Sequence, residues 1–205
     1  MHDRTIDWHQ RYVTGDTPWD SGEPSRELER ILAEGLIRPC RALELGCGTG
    51  TNAVFLAKRG FDVSAVELVP QAIAQVRRRA DEAGIRVRFV EADFFALPDL
   101  GPPFPFVLDR GLYHVLRSVN VERYREIVAN LTEPGGLYLT LAGNANESNP
   151  PEGGPPRVHA HEICLELGPA FEVVQLREFH FDGVRIEGRE IRPLAWSALL
   201  RRKRA

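Results

Sequence analysis

The apolar residues of this 205-residue chain fall into helical stripes and short compact runs that take turns along the sequence. Leu28, Ile31, Leu32 and Leu36 recur at the spacing of one helix face, which predicts a helix over 25–36, with Ser25 at its cap and Gly35 near its end. Beyond it, the runs 41–45, 61–68, 86–93, 104–110 and 135–142 predict strands. Between them, 51–60, 70–84 and 120–131 predict helices, punctuated by Gly60, Pro70, Gly84 and a capping Asn120. Strand and helix alternating through short connections imply a parallel sheet covered by helices on both faces.

The pattern changes at both ends. From Gly143 a polar loop rich in Gly and Pro runs to 156; loops of that length are usually functional or disordered. A short helix over 159–168 and two closing strands, 171–181 and 194–203, follow as a hairpin or meander. At the front, "GDTPWDSGEPS" (15–25) holds Gly15, Pro18, Gly22 and Pro24, a density that excludes helix and strand. Yet Trp19 sits in its middle and Trp8 precedes it. A loop tryptophan either packs on a neighbouring element or walls a ligand. No repeat or long linker divides the chain, so one domain over 1–205 is expected, α/β in class, with a single doubly wound Rossmann-like sheet, mostly parallel, and an antiparallel strand pair at its C-terminal end.

Composition narrows the classes. Hydrophobic residues make up 43% and charged residues 27%, which is globular. A net charge of −3 gives no electrostatic reason for a nucleic-acid partner, and the terminal "RRKR" reads as a solvated tail. No apolar run reaches the roughly 18 residues of a membrane span, and the first residues lack an export signal, so a cytoplasmic setting is expected. Cys40, Cys47 and Cys164 have no metal-like pair spacing. His159 and His161, two apart without nearby paired cysteines or acidic ligands in a recognised pattern, give no metal site either, and no metal is expected. No exposed heptad or long apolar surface helix is evident, so a monomer is expected.

The chemistry begins at "LELGCGTG" (43–50), where Gly46, Gly48 and Gly50 lie between a predicted strand and a helix. Glycines there let backbone amides approach a ligand at the carboxyl end of the sheet. The spacing departs from the dinucleotide form, and the next helix opens with Thr51 and Asn52 and no phosphate-binding lysine. The second strand ends at Glu67, about twenty residues on, where a carboxylate can accept both hydroxyls of a ribose. The third ends in "EADFF": Asp93 can accept from an adenine amine, and Phe94 can pack on the ring.

These residues resemble the class I S-adenosylmethionine-dependent methyltransferases. "WHQRYVTGDTPWDSGEPS", "DRGLYHVL" (109–116) and "GGPPRVHAHEI" (153–163) look like the branch that holds thiopurine, plant halide/thiol and bacterial tellurite-resistance methyltransferases. The resemblance implies S-adenosylmethionine as cofactor and a small-molecule acceptor, with no nucleic-acid or membrane partner. It implies that residues 1–24 form a lid, with Trp8 and Trp19 covering the sulfonium. Glu44, the three glycines, Asn52, Glu67, Leu68, Asp93, Phe94 and Asp109 would border the cofactor. Arg110 would orient or help ionise the acceptor, beside Trp19, Tyr113 and His114. His114 is open to two readings, a base or a packed, hydrogen-bonded residue. The expected acceptor is a soft nucleophile (a thiol, a selenium or tellurium oxyanion, or a halide); the alternative is a phenolic or heteroaromatic hydroxyl. Leu45 stands where the branch often has proline, Glu67 where it usually has aspartate, and "AGNANES" offers no evident acceptor contact.

Overall fold

The computed structural model describes residues 7–148, 156–182, 184–186 and 189–204. Residues 1–6 of the expected lid and 149–155 of the long polar loop lie outside these. In chain order the elements are α1 (Trp8–Thr14), α2 (Arg26–Ala33), β1 (Arg41–Leu45), α3 (Thr51–Lys58), β2 (Asp62–Glu67), α4 (Pro70–Glu82) and β3 (Arg88–Glu91). Then come β4 (Phe104–Arg110), α5 (Tyr113–Leu131), β5 (Thr132–Asn144), β6 (Arg157–Val158), α6 (Ala160–Leu167), β7 (Phe171–His180), β8 (Val184–Ile186), β9 (Arg189–Ile191) and β10 (Leu194–Arg202).

The sheet runs β3-β2-β1-β4-β5-β10-β7. The first five strands pair in parallel, and β10 pairs antiparallel with β5 on one side and β7 on the other. Side chains alternate between the faces, as the two-residue repeat of a strand demands. Leu43, Leu45 and Val107 point into a core with Tyr124 and Val128 of α5 and Ile163 of α6. Ala42, Phe106 and Leu108 point the other way, into a core with Leu28 and Ile31 of α2 and Leu56 of α3. The strand order reverses at β1 and β4, which opens a crevice at their carboxyl ends.

Four local expectations change. The helix expected at Asn120 begins at Tyr113, but Asn120 still caps its second half: its backbone is extended (φ −162, ψ 94) and its Oδ1 accepts from Arg123 N at 2.9 Å. Ser25 stands at the start of α2 without a side-chain cap; its backbone N–H instead donates to Asn52 Oδ1 at 2.9 Å. The leader contains a helix, α1, capped by Asp7, whose side chain accepts from Gln10 N, and closed by Gly15 in the left-handed region. The two closing strands do pair, but between them the chain forms a separate β8–β9 hairpin. No helix among the described residues is long and apolar enough to cross a membrane.

Candidate active site

A cavity of about 270 Å³ lies at the carboxyl ends of β1, β2 and β4. Its floor is the glycine turn between β1 and α3. Gly48 has φ +54, and a β-carbon there would lie 2.7 Å from the Tyr12 hydroxyl. The missing side chain therefore lets Tyr12 of the leader close down onto the turn. Gly50 is a different case. A β-carbon on it would sit 1.8 Å from Val76 Cγ2, so its smallness serves the seating of α4 and not the cavity.

Two carboxylates sit at the ends of β1 and β2. Glu67 Oε2 accepts from Gly48 N at 2.8 Å, and its Oε1 accepts from Leu68 N and Val69 N at 2.9 and 3.1 Å. Burial raises its pKa, and these three amides hold it down. Glu44 is 2% exposed. Its Oε1 accepts from Asn52 Nδ2 at 3.0 Å, while Oε2 is buried without a partner. Burial pushes its pKa up to about 8, against the pull of Asn52, the Ala53 amide and the positive charge of Arg110. Beside them Asp93 accepts from Phe95 N at 2.8 Å, and Phe94 stacks on Tyr124 with ring centres 4.8 Å apart.

The leader closes the top. Tyr12 packs with Val69 and Ala72 at the start of α4, and with Trp8 and Trp19. Trp19 meets Trp8 edge to face at 5.4 Å, and the Arg11 guanidinium lies 4.5 Å from its ring centre. Asp20 Oδ2 accepts from the Thr49 hydroxyl at 2.7 Å, which ties the leader to the glycine turn. Arg110, at the end of β4, donates through Nη1 to Trp19 O at 2.9 Å and through Nη2 to Asp182 O at 3.2 Å. Its guanidinium lies 5.2 Å from the Phe181 ring centre, and its Nε is buried without a partner. One side chain thus joins the leader to the segment after β7.

His114, in the first turn of α5, is 5% exposed and borders the cavity. Its Nδ1 accepts from Gly143 N at 2.8 Å. Burial, then the charge of Arg110, lower its pKa to about 4, so the ring is neutral at physiological pH.

Trp8, Trp19, Glu44, Gly46, Gly48, Asn52, Glu67, Leu68, Asp93, Phe94, Arg110 and His114 all border this cavity. Gly50, Asp109 and Tyr113 do not. Asp109 is fully buried beneath the β4–α5 turn. Its Oδ1 accepts from Leu112 N and Tyr113 N, and its Oδ2 accepts from the Tyr138 and Tyr124 hydroxyls at 2.5 and 3.2 Å. It shapes the turn that presents Arg110, without facing a ligand. The Tyr113 hydroxyl donates to Glu166 at 2.6 Å, on the α5–α6 surface. Tyr12, Asp20, Thr49, Leu112, Val115, Leu116, Phe181 and Val184 border the cavity without having been singled out in the sequence. Asp20, Leu112, Val115 and Leu116 lie within the quoted motifs, and Tyr12 lies four residues after Trp8, on the same face of α1.

Comparison with known proteins agrees with this arrangement. A model of the thiopurine S-methyltransferase (TPMT) family matches residues 4–193. A 2-heptyl-1-hydroxyquinolin-4(1H)-one methyltransferase from Mycobacteroides abscessus is 27% identical over 147 residues, 71% of this chain but 64% of that protein. A probable thiol methyltransferase 2 from Arabidopsis thaliana is 25% identical over 82% of this chain and 75% of that protein. The solved structure from work on the conversion of a disulfide bond into a thioacetal group during echinomycin biosynthesis superimposes with a TM-score of 0.81. It does so over 94% of this chain and 90% of that one at 24% identity, a likeness of fold. With a glycine turn, strand-end carboxylates and an aromatic leader assembled around one cavity, and a family match over nearly its whole length, the chain belongs to the thiopurine S-methyltransferase family of class I S-adenosylmethionine-dependent methyltransferases.

Proposed function

We propose that this protein methylates a small acceptor whose nucleophilic atom is soft and acidic, a thiol in the first instance. S-Adenosylmethionine supplies a methyl group on a sulfonium, open to in-line displacement. The residues present fit that cofactor. The orphaned Glu44 Oε2 is a buried acceptor that the cofactor's ammonium would satisfy. Glu67 would take the ribose hydroxyls, Asp93 the adenine amine, and Phe94 would face the ring. The leader acts as a lid: Trp8 and Trp19 exclude water and present aromatic faces to a cation, worth roughly 0.5–2 kcal/mol.

The observation that carries the acceptor class is the lining supplied by β4, α5 and the segments around Pro156 and β8. Leu112, Val115, Leu116, Pro156, Phe181 and Val184 are apolar, and Arg110 and His114 are the polar side chains among them. An oxyanion such as selenite or tellurite needs donors for several charged oxygens. This lining suits one charged atom on an apolar body. The relative named for a hydroxyquinolone gives the second reading, an acidic heteroaromatic hydroxyl, which the same lining admits. The test is transfer of label from methyl-labelled S-adenosylmethionine to a small thiol, a thiopurine, iodide, tellurite, a 1-hydroxyquinolone and a simple phenol. Label on the thiols is expected, with none on tellurite. Label on the simple phenol alone would overturn the reading.

A further inference from the structure

We propose that His114 is a fixed, neutral hydrogen-bond donor to the methyl acceptor and not a base, an inference that rests on the cavity being the methyl-transfer site. The ring meets the chain at two places. On one side Nδ1 accepts from Gly143 N at 2.8 Å. A peptide N–H can only donate, so Nδ1 must carry a lone pair and the proton sits on Nε2. On the other side, a β-carbon built on Gly111 would lie 3.3 Å from Nε2, and Gly111 borders the cavity. The Nε2–H therefore stands at the cavity wall.

Gly143 meets the ring through its backbone alone. A β-carbon on it would lie 2.7 Å from Pro156 O, so its smallness admits the chain at Pro156; the ring's Nδ1 would be 3.6 Å away, an ordinary contact. The contact also fixes the ring's chemistry. To take a proton at Nε2, the ring must either carry protons on both nitrogens or move one to Nδ1. Either state turns an N–H of the ring onto the N–H of Gly143. The surroundings oppose protonation as well. From β4 the neighbouring charge is Arg110, which disfavours a second cation, and burial acts in the same direction. From β5 the neighbour is the Gly143 amide. Leu112, just before α5, and Val115 on it are apolar, and the Tyr113 hydroxyl is turned away to Glu166.

The acceptor must accordingly arrive as its anion, with its proton already lost to water. His114 Nε2–H then hydrogen-bonds the charged atom, and no proton passes through the ring. The donor favours ionisation of the bound acceptor and fixes its direction of approach.

The first test needs no acceptor. A long-range proton–nitrogen NMR spectrum of the wild-type protein, with His114 assigned by its loss in His114→Gln, should show an unprotonated Nδ1 and a protonated Nε2 throughout pH 6–8. A ring that titrates in that window, or one protonated at Nδ1, overturns the proposal. The second test uses a series of thiols of graded acidity. The pH at which kcat/KM levels off should move with the acidity of the thiol. His114→Leu should lower kcat/KM about 10–100-fold, the range for a hydrogen bond to a charged group, and His114→Gln, which keeps a neutral N–H, should recover most of that loss. A break at one fixed pH for every thiol, with Gln as damaging as Leu, would identify a base. If no acceptor is methylated at all, the functional reading fails, while the NMR spectrum still decides the state of His114.

Discussion

Glu44 shows how burial sets the chemistry of a single residue. Its folded pKa of about 8 lies above the ordinary 4.5, so the fold favours the neutral acid. Its contribution to stability is fully present below pH 4.5 and is lost as the pH rises through about 8. Supplying a cation to the orphaned Oε2 reverses that preference. Binding of the cofactor at pH 7 should therefore release close to one proton, read by calorimetry in buffers of different ionisation enthalpy, and Glu44→Gln should abolish the release. The same scale shows the reach of sequence reading. Glu44 and Glu67 were legible because they end strands beside the glycine turn. Asp109 ends a strand too, but its partners, Tyr124 and Tyr138, come from α5 and β5, far along the chain. Nothing local to "DRG" tells an inward carboxylate from a ligand-facing one. His114 was legible as a candidate, but the state of its ring depends on Gly143, distant in sequence on β5.

At the scale of elements, the alternating core was readable because each unit carries its own period and its own stops. Two pieces were not. The first half of α5 is hidden because "YHVLRSV" is short and its faces are not cleanly polar and apolar; the visible cap at Asn120 belongs to a second segment that continues the first. Asn120→Ala should cost about 0.5–2 kcal/mol in urea unfolding, with cofactor affinity unchanged, because only the cap bond to Arg123 is lost. The position of β10 was equally hidden, since a strand that pairs on both sides has the same apolar run wherever it inserts. The glycine turn makes the opposite point. Gly50 looks like a ligand residue by motif and works as a packing residue. Gly50→Ala drives a methyl into Val76 at a left-handed backbone position. Overpacking of this kind costs typically about 1–3 kcal/mol, and the conformation adds about 1–2 kcal/mol. The melting temperature should fall even with saturating S-adenosylhomocysteine.

Across the whole molecule, the leader and the segment after β7 approach the cavity from opposite ends of the chain and meet at Arg110. This clasp answers why two tryptophans precede the first strand: Trp8 on α1 and Trp19 in the loop after it form a small core of their own with Tyr12, packed against the start of α4 and outside the main sheet. Arg110→Met removes both carbonyl contacts while keeping an apolar stem. The expected outcome is faster proteolysis between Thr14 and Pro24 in the absence of any ligand, with thermal unfolding of the remaining domain shifted little. Cleavage at the wild-type rate would show that Arg110 does not restrain the leader. The sequence placed the leader and Trp19 near Arg110 but hid the clasp, because Trp19 and Asp182 are joined to Arg110 through backbone oxygens, which every residue type supplies.

The placement of β10 between β5 and β7 has a consequence for how the chain is made. During vectorial synthesis β5 emerges long before Leu194 and must wait with an open edge while β6 to β9 follow. The parallel half of the sheet and its helices can form on contacts already available, but β5 and β7 share no ladder of their own. Until β10 emerges, each presents unpaired amides and carbonyls, and β7 exposes Val173 and Val174 besides. A chain held in this interval is open to strand addition and to aggregation.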